Sequence, residues 1–541
     1  MLSHSRLSLH ECSTVQQAID AEIEGIPPES SSESVRMLHA RRNAYAMINV
    51  WLPPELMAAI FYEIVVDFRW MLHLKQHFQT YGFGQQYIAI SHVCRVWRTI
   101  AISTPRLWAE ISLVNADVTA VMLHRSKASP ISIFYHSKLD QPISTVPLAL
   151  AHADRAFKID LLLLSERVQD LISKYLTKPM PFLKRLGLFA EFLSTARPAC
   201  FLPPGCLEGA NDLGHLDLLR VGLSPGSILP ATLTVLALMY PPERLTVSEM
   251  IRLLEPLENL CDLCIIDALL SDAPDPTKPS ALRRLSPRTH LVRLHLSAPV
   301  RERDDFMSRS PIMPKTPVSL SCDAETLDDL HFGQVLKPVH GARHRLRALS
   351  LSFLLGRACI KGYSSASFPM MHSHICFSVS VRLHSVFPWH ETLRDLCATM
   401  PLDSVETLFV ESTHDLGESI APLLGAHLRG VRTLRLMNEA VKYVLRDMHP
   451  QAEGISPAFP HLKALAVCYQ RYDSSAGYDS NAIDLHLLGP VADCLIARKG
   501  PGMTAVVEEL EINGEVVPSK YLEYLEGFKS WKHPSSVHGT A

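Results

Sequence analysis

A cassette of the form Leu-x-x-Leu-x-Leu recurs along most of this chain and narrows the folds open to it. It stands at Leu183–Leu188, Leu213–Leu218, Leu233–Leu238, Leu291–Leu296 and Leu346–Leu351, with variants at Val431–Leu436, Leu462–Val467 and Val507–Ile512. Weaker copies have their fourth position at Ile159, Leu263, Leu320, Phe377 and Leu408. Counted between fourth positions, the steps from Ile159 to Leu465 run between 20 and 31 residues. In extended chain, alternate side chains share a face, so each Leu-x-Leu pair presents both apolar groups to one side. The intervening Arg, His, Asp, Ser and Thr residues then face the other side. The pattern predicts an α/β structure with one short parallel strand per repeat and helices or loops returning on the convex side.

That spacing overlaps the 20–29 residue period of leucine-rich repeats, each of which adds one strand to a horseshoe. The register here is irregular and lacks the asparagine ladder of the standard motif, so an ordinary α/β domain with scattered leucine-rich strands is the alternative. The repeat-like domain is expected over 125–520. Residues 299–318 and 360–373 read as loops or insertions, and 531–541 as a disordered tail.

Ahead of the repeats, residues 52–67 read LPPELMAAIFYEIVVD and residues 90–108 read ISHVCRVWRTIAISTPRLW. Pro53 and Pro54 suit a first helical turn, where missing N–H groups cost nothing, and Glu55 favours the helix dipole. Leu56, Ile60 and Ile64, flanked by Met57, Phe61 and Val65, give a broad apolar face. Ile90, Val93, Trp97 and Ile100 step by helical spacing, and Thr104 is placed to cap a short third helix carrying Leu107 and Trp108. The module is expected over 49–112, with an irregular insert at 68–86. Residues 1–48 read as a leader, partly helical (Val15–Ile23) and partly disordered, broken by a Pro/Ser/Glu-rich stretch at Ile26–Ser34.

Bulk properties exclude several classes. Hydrophobic residues make up 47% and charged residues 20%, the composition of a folded chain. Lys+Arg 52 against Asp+Glu 55 leaves a formal charge of −3, with no electrostatic footprint for nucleic acid or an anionic membrane. The N-terminal residues lack the apolar core of a secretory signal, and the uncharged run Val221–Pro242 holds four prolines, which rules out one continuous spanning helix. A cytoplasmic and/or nuclear protein is expected. Cys261-x-x-Cys264 has no second pair and sits in an apolar run, so both cysteines are expected in the core.

Taken in order, the segments LPPEL-x-x-x-IF and SHVCRVWR-x-IA-x-STPRLW resemble the F-box, in the form found in large fungal (basidiomycete-type) families with a leucine-rich-repeat-like C-terminal region. The resemblance covers residues 52–108. It implies a three-helix module that docks on the Skp-family linker of a cullin–RING ubiquitin ligase, while the rest of the chain captures a protein substrate for ubiquitin-dependent degradation. On matching positions, Leu52 and Pro53 would form the leading docking edge, and Glu55, Leu56, Ile60 and Phe61 the first helix's contribution. Val93, Cys94, Trp97, Leu107 and Trp108 would divide between the module's own core and the linker contact. The insert at 68–86 departs from the family pattern.

No phosphate-loop, nucleophile-elbow, H-E-x-x-H or dinucleotide motif occurs, so no catalytic residue and no cofactor is expected. His372, His374 and Cys376 alternate and would share a strand face, but three such groups without a fourth ligand read better as a polar repeat segment than as a metal site. If the concave face binds the substrate, its contacts are the x positions, among them Lys184, Arg185, His215, Asp217, Arg293, His295, Arg347, Arg432 and Arg435. Several are basic, which suits an acidic or phosphorylated partner segment. The alternative to a ligase adaptor is a non-catalytic repeat scaffold that recruits no ligase.

Overall fold

The computed structural model describes residues 8–27, 32–74, 89–137, 142–177, 179–191, 199–203, 205–224, 226–272, 285, 290–310, 316–324, 346–354, 357–366, 375–383, 389–400, 402–413, 420–448, 458–468, 491–495, 498, 507–512 and 515–517. The chain divides into two compact units, residues 1–243 and 244–541. Each is mixed α/β with a mostly parallel sheet.

The first unit opens with helices α1 (Leu9–Glu24), α2 (Ser32–Ala44), α3 (Met47–Trp51), α4 (Pro54–Leu74) and α5 (Arg95–Ser103), followed by a 3-10 turn at Pro105–Trp108. The leader is therefore helical over more of its length than Val15–Ile23. A Ser8/Glu11 capping box starts α1, and an Arg42–Asp20 ion pair links α2 to α1. Helix α4 also outruns its expected end. The stretch FRWMLHL contains no Pro or Gly, so the helix continues to Leu74, and residues 75–86 of the expected insert lie outside the described residues.

The strands of this unit are β1 (Glu110–Ile111), β2 (Ile131–His136), β3 (Ala156–Leu164), β4 (Arg185–Glu191), β5 (Phe201–Leu202), β6 (His215–Leu219), β7 (Gly222–Leu223) and β8 (Val235–Met239). β1, β2, β3, β4, β6 and β8 pair side by side in that order, all parallel. β5 and β7 make a separate short ladder. Helices α6 (Ala116–Arg125), α7 (Thr145–Leu150) and α8 (Ser165–Tyr175) return between the first four strands of that sheet.

Each cassette here works the same way. Its first leucine closes a tight turn, with N–H groups of Leu183, Leu213 and Leu233 donating to Met180, Ala210 and Pro230 carbonyls at 3.1 Å. The next residue donates to the preceding strand, as Lys184 does to Phe157 at 2.8 Å and Thr234 to Gly214 at 2.8 Å. The fourth positions Ile159, Leu186, Leu216 and Leu236 then fall in register as one fully buried row.

The second unit comprises β9 (Leu245–Thr246), α9 (Val247–Leu254), β10 (Asp262–Ile266), β11 (Leu269–Leu270), β12 (Arg293–Ser297), α10 (Val300–Arg309), β13 (Val318–Ala324), β14 (Ala348–Leu354), β15 (Arg357–Tyr363) and β16 (Ile375–Leu383). These are followed by α11 (Trp389–Thr399), β17 (Thr407–Ser412), α12 (Ala421–His427), β18 (Thr433–Asn438), α13 (Glu439–Asp447), β19 (Ala464–Cys468), β20 (Glu509–Ile512) and β21 (Glu515–Val517). β10, β12 and β13 run parallel in sequence order. That order then breaks: β13 pairs with β16, β16 with β15 and β15 with β14, before β14 joins β17. β14–β16 thus form an antiparallel meander within a parallel array that resumes through β18, β19 and β20.

Gly362 permits this arrangement. It sits between Leu349 and Phe377 in register, and an added Cβ would lie 2.7 Å from Phe377 Cδ1 and 2.9 Å from Leu346 Cδ2. The missing side chain leaves the Phe377 ring its place in the core, where it is fully buried.

Three expectations are corrected here. Residues 299–318 are not loop throughout, because α10 spans Val300–Arg309 and anchors on a fully buried Phe306, while 311–315 lie outside the described residues. Its charged sequence hides this: Arg309 is buried, paired with Asp272 and Asp305 at 2.8 Å. Within 360–373, β15 continues through Tyr363. In β13 the residue aligned with Leu294 is Val318, so Leu320 holds the sixth cassette position rather than the fourth. The tail at 531–541 lies outside the described residues.

Candidate functional site

The helical module has a core and an outer edge, divided along α4. The chain enters that helix through Pro53, whose carbonyl accepts from the Leu56 and Met57 N–H groups at 3.0 and 3.1 Å. Met57 and Phe61, one turn apart, point inward and are 1% exposed. Leu56 and Ile60, also one turn apart, point outward at 54% and 43% exposed.

Phe61 meets Trp97 of α5 with ring centroids 4.9 Å apart at 50°, a tilted aromatic pair. The Trp97 indole donates to Asn49 Oδ1 at 2.8 Å, and Asn49 Nδ2 donates in turn to the Asn43 carbonyl at 2.6 Å. Asn49 therefore ties the leader to α5. Sequence reasoning passed over it; its only signal was one amide in the apolar run MINVW.

Helix α5 starts later than the spacing of Ile90 and Val93 suggests. Cys94 is its N-cap, its sulfur accepting from the Trp97 N–H at 3.5 Å. Ile90 is buried, while Val93 stands before the helix and is 56% exposed. At the other end, Thr104 does not cap the following turn. Its hydroxyl donates back to the Ile100 carbonyl at 2.7 Å, and Pro105 opens the 3-10 turn.

Leu107 and Trp108 are interior residues. The Trp108 indole donates to the Ala101 carbonyl at 2.8 Å, and the Arg125 guanidinium lies 4.3 Å from its ring centre. Burial also lowers the Arg125 pKa. Phe61, Leu107 and Trp108 thus belong to the module's own core and are removed from the set able to touch a partner. Leu52, Pro53, Cys94 and Trp97 are half-buried, and Glu55, Leu56, Ile60 and Val93 are exposed. Met47, Ile48 and Trp51 of α3, which the sequence did not single out, are exposed too. Five large apolar side chains within a short stretch of chain, Met47, Ile48, Trp51, Leu56 and Ile60, are thereby left exposed. Exposed apolar residues grouped in this way are characteristic of interaction surfaces.

The x positions of the repeats are largely neutralised within the chain. In the first unit, Arg185 bridges Asp160 at 3.1 Å and Asp217 at 3.0 Å. Lys158 meets Asp160 at 2.9 Å and His215 meets Asp217 at 2.6 Å. In the second unit, Arg293 pairs with Asp262 at 3.4 Å, Arg347 with Glu406, and Arg435 with Glu511 at 3.1 Å.

His295 Nδ1 is 2.9 Å from Ser319 Oγ, and burial lowers its pKa. Arg432 lies in the row between Glu406 and Lys463. These five residues are spread over β12 and the starts of β14 and β18, so they do not form one basic cluster. Local pairing, invisible in the sequence, consumes most of their charge.

Cys376 lies near the start of β16, while His372 and His374 are outside the described residues. Among the described residues no three His, Cys, Asp or Glu side chains gather to hold a metal. Cys261 and Cys264 are half-buried rather than in the core. Among the described residues no helix is long and apolar enough to cross a membrane. No protein-family model matches the chain, and no curated protein matches it.

Proposed function

We propose that this chain is a substrate-receptor subunit of a Skp–cullin–F-box type ubiquitin ligase. In this reading residues 49–112 are the F-box-like module and the strands beyond them an irregular leucine-rich-repeat-like solenoid that captures a target protein. The protein is not itself catalytic and acts in the cytoplasm and/or nucleus. The observation that carries the reading is the split of α4, where Met57 and Phe61 are buried in an internal core while Leu56 and Ile60 stay exposed. A helix contributing one apolar row inward and another outward is suited to docking against partner helices.

The docking set is accordingly Leu52, Pro53, Glu55, Leu56, Ile60 and Val93, with Met47, Ile48 and Trp51 added, and with Cys94 and Trp97 at its margin. The test is quantitative co-purification of the Skp-family linker with the full chain, set against Leu52→Ala/Pro53→Ala and Leu56→Asp/Ile60→Asp variants. The reading expects stoichiometric linker with the parent and loss with both variants. Equal recovery from all three, or none from any, favours a repeat scaffold that recruits no ligase.

A further inference from the structure

The meander β14–β16 carries chemistry that the repeats on either side of it lack. On the face turned away from the leucine row, β14 carries Ser350, which is buried, and Ser352, β16 carries Ser378 and Ser380, and β13 carries Ser319 and Ser321, the last five half-buried. β15 runs between β14 and β16 and contributes Arg357, Cys359 and Lys361 to the same face. The register sets Lys361 between Ser350 and Ser378, and Cys359 between Ser352 and Ser380. Directly paired residues have Cβ atoms about 4.5–5.5 Å apart, so Lys361 stands among hydroxyls rather than carboxylates. Further along, Arg357 is in register with Arg382, a like-charge pair that disfavours the sheet.

Most other cations on the repeat faces are paired, Lys184 and Arg432 being exceptions among the described residues. Lys158, Arg185, Arg293, Arg347, Arg435 and Lys463 each have an acidic partner. Among the described residues none of Arg357, Lys361 and Arg382 has one, although the Asp323 backbone is in register with Arg382. Arg357 and Arg382 are exposed, and Lys361 is half-buried. Among the described residues this cluster of three cations coincides with the antiparallel insertion β14–β16 in the parallel order.

We propose that this face binds a phosphorylated segment of a partner protein, one phosphate monoester seated at Lys361 among the serine hydroxyls and a second anionic group held by Arg357 and Arg382. A phosphate monoester carries nearly two charges and three strong acceptor oxygens, more than a carboxylate offers to a ring of hydroxyl donors around a cation. Lys361 and Arg357 are four positions apart on one strand, roughly 13 Å, which an extended peptide spans with two anionic groups at similar spacing. The patch is too short for a nucleic-acid backbone, which calls for an extended basic stripe. Calling that segment a degradation target rests on the substrate-receptor reading; its binding does not.

The test uses the purified full chain and fluorescence anisotropy. The probe is a labelled Gly/Ala-based peptide carrying two phosphoserines about four positions apart, compared with its unphosphorylated form and with a single-stranded oligonucleotide. The phosphopeptide is expected to bind at least about tenfold more tightly than the unphosphorylated peptide. Lys361→Ser and Arg357→Ser/Arg382→Ser are each expected to lose about tenfold or more, with unchanged circular dichroism. Arg429→Ser, an exposed cation beyond α12, should change nothing. Equal binding of both peptides, full binding by Lys361→Ser, or tighter binding of the oligonucleotide would overturn the proposal. Linker capture is scored separately: phosphopeptide binding without linker capture removes the ligase reading alone, and the converse removes this site alone.

Discussion

Gly187 on β4 offers a sharp test of how the charged face of the first unit is built. It lies in register between Asp160 of β3 and Asp217 of β6. Because it has no side chain, the Asp160 carboxylate reaches over it to Arg185 at 3.1 Å while keeping Lys158 at 2.9 Å. A methyl group at 187 would overlap Asp160 Oδ1 and lie 2.9 Å from Phe189 Cε2. In an unobstructed strand Gly→Ala stabilises by about 0.5–1 kcal/mol. Here it displaces a carboxylate that is buried to 8% exposure, at a loss of about 1.5–3 kcal/mol of charge-assisted hydrogen bonding.

The expected net effect is a destabilisation of about 1–2 kcal/mol, a reversal of the usual sign. In an Asp160→Ala background the carboxylate obstruction is gone and only the Phe189 ring contact remains to offset the gain in strand propensity, so the same substitution should be near neutral, and the cycle should show coupling of about 1–2 kcal/mol. Urea unfolding of the full chain gives the stabilities, and hydrogen exchange of the β4 amides localises the change. A Gly187→Ala protein as stable as its parent, or one equally destabilised in both backgrounds, would refute the account of this network.

Two further outcomes follow from burial. Phe61→Ala should cost about 3–5 kcal/mol through a core cavity, whereas Leu56→Ala on the outward row of the same helix should stay within about 0.5 kcal/mol; comparable urea midpoints for the two would contradict the inward–outward split of α4. Burial pushes the Cys200, Cys206 and Cys397 thiols up to about 12 from an ordinary 9.0. The unfolded chain therefore binds fewer protons between these values, so this contribution is fully present below pH 9 and is lost as pH rises toward 12. Unfolding midpoints measured across that range should fall less steeply in Cys206→Ala than in the parent, and parallel curves would count against it.

The strand positions were legible because they depend on local information. Alternation places Leu186 and Leu188, or Leu434 and Leu436, on one buried face, and the first cassette leucine closes a turn only three residues long. The outward row of α4 was legible only in part: helical spacing marks Leu56, Met57, Ile60 and Phe61 as apolar but does not say which pair faces a neighbour. Helix α10 escaped notice because its buried residues include two arginines, Arg303 and Arg309, and the Arg309 charge is met by Asp272, which only the fold brings to it.

By itself the sequence determined the class of this protein: short apolar strands at repeat spacing behind a proline-started helical module, near-neutral charge, and no catalytic motif. Only the tertiary structure decided the order β13–β16–β15–β14–β17, the pairing of Arg347 with Glu406 and Arg435 with Glu511, and the withdrawal of Leu107 and Trp108 into the interior. The physical reason is range. Periodicity and turn formation act over a few residues, whereas strand order and charge neutralisation join residues dozens of positions apart. The second kind of information brings Lys361, Arg357 and Arg382 together on one face of the meander.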